Sequence, residues 1–180
     1  MKSLKFFKPT LTTTLAMVVT SLLSVPPAQA GYIVTLQQVG PNVVATGSGA
    51  IDLTGLTGSP SFAQNPGIKP DGHFLVGPDF IATGPTSSSV HHYSGAITGP
   101  TFFGSSPNFT FASSGSGDMV GITYYYPRFL HDQPFLIVPT GYVSGNALSD
   151  MATYSGKTFA NLGVTAGTYV WNWGTGANQN

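Results

Sequence analysis

Glycine and proline punctuate this chain at intervals too short for helices, and that spacing constrains the fold more than any other feature. Gly77-Pro78, Gly84-Pro85, Gly99-Pro100, Ser106-Pro107, the stretch from Gly115 to Gly117 and Gly141 separate apolar runs of only a few residues. Such runs suit strands joined by tight turns. Between positions 43 and 53, Val43, Ala45, Gly47, Gly49, Ile51 and Leu53 alternate with a set that includes Thr46, Ser48 and Asp52. A period of two marks a strand with one buried face. The β-rich run 32–39 meets it across Gly40-Pro41-Asn42, so the first element reads as a hairpin. Further strands are expected at 74–76, 80–83, 90–97, 101–103, 109–113, 119–125, 135–138 and 168–173. Parallel pairing would need helical crossovers, and only 150–162 offers a helical turn. The expected fold is therefore all-β: a single antiparallel β-sandwich, jelly-roll-like or Ig-like, with a barrel as the alternative. Residues 57–73, rich in Pro and Gly, read as a surface loop within it.

Gly at 23 and Pro at 14 of 180 residues raise the question of disorder. Twelve Phe, eight Tyr and two Trp answer it, because they carry more apolar surface than a linker would. At the start, Lys2, Lys5 and Lys8 precede an uncharged run from Leu11 to Val25 that ends in Pro26-Pro27-Ala28-Gln29-Ala30. This order predicts a bacterial-type secretory leader over 1–30, cleaved after Ala30. The run is shorter than the roughly 20 apolar residues that cross a bilayer, and Thr and Ser interrupt it. No membrane span is expected in the mature chain.

Residues 31–180 suit one domain, and they retain three cations, Lys69, Arg128 and Lys157, against six Asp, a formal charge of −3. Three scattered cations are no footprint for nucleic acid, which is excluded as a partner. The absence of Cys removes disulfides, thiolate metal sites and a Cys nucleophile.

Few residues suggest chemistry. Neighbours on a strand face opposite ways, so His91 and His92 do not chelate one ion together, and His131 and Asp132 do not act as base and orienter. No Gly-x-Ser-x-Gly elbow occurs, and the six Asp show no Asp-x-Asp spacing for calcium; turn Asp are expected in any case. The chain reads as a non-enzyme with no catalytic or metal site and no cofactor. Gly115-Ser116-Gly117 reads as a flexible turn without the flanks of a phosphate cradle. Tyr169, Trp171 and Trp173 share one face of the strand expected at 168–173, where they either stack sugar rings or form core. Tyr124 and Tyr126 share a face as well. Candidate ligand-binding residues are thus Tyr124, Tyr126, Trp171 and Trp173.

The stretches 32–40, 42–49, 51–56, 80–85, 111–118, 138–145 and 159–171 together resemble exported bacterial proteins of the kind that carry a PEP-CTERM sorting tail. The resemblance spans nearly all of 31–180 and implies a passenger of uncharacterised function in organisms that sort such proteins to the envelope and produce exopolysaccharide. It supplies no catalytic residues. Similar proteins continue past the region of Trp171-Asn172-Trp173-Gly174 with an apolar strand, a Pro-Glu-Pro motif, a transmembrane helix and a basic end. This sequence has no Glu, so the expectation is a β-domain lacking a final strand and the tail.

The expected role is a secreted or cell-surface, non-enzymatic component of envelope or extracellular matrix, with exopolysaccharide or other envelope components as partners. A carbohydrate-binding module is the alternative, and a secreted hydrolase the third reading. The leader makes a direct prediction: mass spectrometry of exported protein finds Gly31 as the first residue, and secreted material retaining 1–30 contradicts it.

Overall fold

The punctuation translates into strands. A computed structural model describes residues 31–71, 80–125 and 133–180; the leader, the strand expected at 74–76, Tyr126 and the pair His131-Asp132 lie outside them. In chain order the elements are β1 Tyr32–Val39, β2 Asn42–Ala50, β3 Thr57–Gly58, β4 Phe62–Gln64, β5 Gly67–Lys69, β6 Phe80–Thr83 and β7 Ser88–Ser94. There follow β8 Thr110–Phe111, β9 Ser114–Gly117, β10 Val120–Tyr125, β11 Gln133–Pro139, β12 Ala147–Tyr154 and the one-turn helix α1 Phe159–Leu162. Strands take up 51% of the described residues and helix 3%.

Two antiparallel sheets result. The smaller runs β1-β2-β12-β9, and the larger runs β3-β7-β11-β10-β6-β5-β8 with β4 also paired to β7. Neither closes into a barrel, and the fold is an all-β sandwich. The first hairpin forms as its turn residues dictate: Val39 pairs with Asn42, leaving Gly40 and Pro41 as a two-residue loop in which Gly40 takes φ 58°.

Alternation then decides which side chains meet between the sheets. Val43 and Ala45 of β2, Ala152 and Tyr154 of β12, and Leu162 of α1 build one buried cluster with Ile68 and Phe103. Ile122 and Tyr124 of β10, Leu136 and Val138 of β11, and Leu148 of β12 build another with Ile51 and Trp173. The residues between them on the larger sheet, Phe80, Ala82 and Ile137, join Val90 and Met119 in a third cluster on its other face. The larger sheet is thus apolar on both sides, which is why 135–138 reads as an unbroken apolar run.

Several expectations need correction. The stretch 57–73 is not a plain loop: it contributes β3, β4 and β5, and Ile68 is fully buried. Gly115-Ser116-Gly117 is not a flexible turn but the body of β9, paired with β12. Positions 101–103 and 168–173 form no strand; each contributes only an isolated bridge, Asp71 with Phe102 and Thr98 with Asn172. Within 150–162 the helical turn is confined to α1, closed by a capping box between Thr158 and Asn161 and by Gly163 at φ 69°. Its first part belongs to β12, whose inward positions are Leu148, Asp150, Ala152 and Tyr154. An aspartate on the buried face hides that period. In β2 the alternation also breaks, at Gly49, whose φ of 141° brings Ala50 rather than residue 49 to the interior.

Candidate functional site

Tyr32 opens the edge strand β1, and its ring lies across Gly47 of β2, so that its hydroxyl donates to Asp150 Oδ2 on β12. Register makes this possible, because Gly47 pairs with Asp150 on one side and with Val34 on the other. A Cβ on Gly47 would collide with the Tyr32 hydroxyl and stand 2.8 Å from both carboxylate oxygens. Asp150 is 8% exposed, and Thr83, fully buried, faces it from β6 of the opposite sheet. Burial pushes the carboxyl above its usual range, while hydrogen bonds from Tyr32, Thr83 and the Gly47 backbone oppose the shift. Burial, then the Asp150 carboxylate, also push the Tyr32 hydroxyl up, so it remains a donor at any physiological pH.

Beside Tyr32 the two sheets part. A cavity of about 640 Å³ lies between Val34 and Leu36 of β1 and Ile81, Ile122 and Leu136 of the larger sheet, bounded further by Phe103, Phe159 and the segment 164–173. Val34, Leu36 and Ile81 face inward yet are only partly buried, because nothing fills the space between them. Its size falls within the roughly 300–1,000 Å³ of small-molecule pockets, and its walls are mainly apolar, as theirs are.

The segment 164–173 bounds this space without joining either sheet as a strand. Its side chains still alternate: Tyr169, Trp171 and Trp173 turn inward while Val170 is 45% exposed. Tyr169 packs on Phe103 with ring centroids 6.0 Å apart. The Trp171 indole N–H donates to the Tyr124 hydroxyl at 3.1 Å, which donates to the Pro100 carbonyl at 2.7 Å. The Trp173 indole N–H donates to the Asp52 carbonyl at 2.6 Å.

Three of the four candidate ligand residues therefore come together, but inside the molecule. Tyr124 is 1% and Trp173 7% exposed, Trp171 is partly buried, and the two tryptophans line the cavity instead of forming an outer platform. Tyr126 lies outside the described residues. His91 and His92 stand apart on β7: His91 neighbours Tyr93, whereas His92 packs between Phe62 and Phe135, where burial pushes its imidazole down to about 4. Among the described residues no three His, Cys, Asp or Glu side chains converge on a possible metal position. Asp52 closes a turn by accepting from the Thr54 N–H and hydroxyl and from Ser144, which holds its carboxyl below the usual range.

Compared with known proteins, the chain matches no family model, no curated protein and no solved structure.

Sequence reasoning missed Tyr32, Asp150 and the β1 wall of the cavity. The only trace was Gly47, a glycine at an inward strand position, which signals close approach of another group.

Asp150 makes a pH prediction. Its folded value is raised, so below the unfolded value of about 4 its contribution is intact. As pH rises through the folded value the buried carboxyl must ionise and stability is lost. In thermal melts from pH 4 to 7, Asp150→Asn therefore gains on wild type as pH rises. A constant difference across that window contradicts the assignment.

Proposed function

We propose that this chain is an exported, non-enzymatic protein of the cell envelope or extracellular matrix that acts by binding, with the cavity between its sheets as the binding site. The cavity is the observation that carries the reading. Its volume and mainly apolar lining are those of a small-molecule or peptide site. An occupant that fills this space stabilises the folded state by mass action. Export rests on the leader and on the resemblance to sorted passengers, and the same two features support an envelope or exopolysaccharide setting. The carbohydrate-binding alternative has less support, because the indole N–H groups of Trp171 and Trp173 are already bonded within the chain.

The test is expression of the full chain, leader included, in a Gram-negative host. The protein is recovered outside the cytoplasm, binds an anilinonaphthalene sulfonate dye, and melts about 5–10 °C higher with the dye at a hundredfold excess over its Kd. Ile81→Trp, which narrows the cavity, weakens the dye response. Cytoplasmic retention contradicts export, and an unchanged melting temperature contradicts binding in the cavity.

A further inference from the structure

The cavity lies at an open sheet edge, and this says what kind of occupant it takes. The Tyr32 N–H points away from β2 and donates to the Asn180 carbonyl at 3.0 Å. Residues of an antiparallel ladder alternate in the direction of their main-chain groups, so Val34 and Leu36 direct N–H and C=O to the same outer side. Neither has a main-chain partner there among the described residues. Their side chains face the cavity. Unpaired main-chain groups and apolar volume thus lie along one line, spaced as an added strand would need.

We propose that this site takes an extended, uncharged segment of a partner polypeptide, which pairs as an extra strand on β1 and drops alternate apolar side chains into the cavity. The inference rests on the reading of the cavity as a binding site and names its occupant. Asn180 already pairs with the edge at Tyr32, so the first rung exists and the positions at Val34 and Leu36 continue it. Charge points the same way: β1 carries no charged residue and no proline, the usual guards of an exposed edge, and no charged side chain lines the cavity. The far side is bounded by the chain's own segment 164–173. An extended chain adds to an edge through main-chain groups alone, whereas a second folded copy would have to displace the segment. Strand addition of this kind draws affinity from main-chain bonds and selectivity from pockets for alternate side chains.

The probe is a nine-residue peptide of alternating valine and threonine with one lysine at each end, titrated into the full mature protein. Binding is expected to displace the dye and to slow hydrogen exchange at the amides of Val34 and Leu36. The same peptide N-methylated at the two amides that meet β1 loses two hydrogen bonds while keeping its side chains, and binds at least about tenfold more weakly. Val34→Pro removes an edge N–H that β2 does not use and weakens the unmodified peptide similarly; the N-methyl comparison on wild type stands if that variant does not fold. Equal binding of the two peptides overturns the proposal, as does edge protection that arises from dimerisation without peptide. Dye binding with no peptide binding overturns strand addition and leaves the cavity reading standing. Absence of both removes the cavity reading as well.

Discussion

The hydroxyl of Tyr32 on the carboxyl of Asp150 is the contact on which the smaller sheet depends. It spans three strands, from the edge at β1 over Gly47 in β2 to β12, and with Thr83 and the Gly47 backbone it supplies the donors that offset the desolvation of a buried carboxyl. A hydrogen bond to a charged group contributes about 1.5–3 kcal/mol net. Three sequence choices serve this one bond. The phenol must start β1, the residue beneath it must lack a side chain, and the inward face of β12 must accept an aspartate.

Pinning β1 in this way also fixes what it leaves open. Among the described residues the smaller sheet has four strands and ends at β1, which faces Ile81, Ile122 and Leu136 of the larger, eight-stranded sheet across the cavity. Segment 164–173 bounds the same cavity, held by paired Thr98 and Asn172 main-chain bonds and by the two indole anchors, but it lays no strand against β1. The result is an apolar space beside a row of unpaired peptide groups. Sandwiches usually bury or guard such an edge; here the edge and the cavity coincide, which is the basis for reading them as one binding site.

Much of this architecture was legible from local chemistry. Turn residues set the ends of β1 and β6 and the start of β2 closely, although β2 stops at Ala50 and not at 53, and the period of two found the buried face of β2 as far as Gly47. The strands that were missed have physical reasons. β12 hides because Asp150 occupies a core position, and β9 because Ser and Gly carry no apolar signal although the ladder with β12 holds them. β5 is only three residues long, and its burial comes from neighbours distant in sequence. The tryptophans illustrate the converse case. Alternation put Tyr169, Trp171 and Trp173 on one side correctly, yet no ladder forms, so periodicity recorded burial and not pairing. The cavity was invisible because no sequence pattern records space left between two sheets.

The account is tested most directly by residue-resolved hydrogen exchange on Tyr32→Phe, which removes one hydroxyl and keeps the ring. The amides that β1 directs into its ladder with β2, at Ile33, Thr35 and Gln37, should exchange markedly faster, while the β2–β12 ladder keeps its protection. Unchanged exchange at those three amides would contradict the claim that the Tyr32–Asp150 bond holds the edge in place.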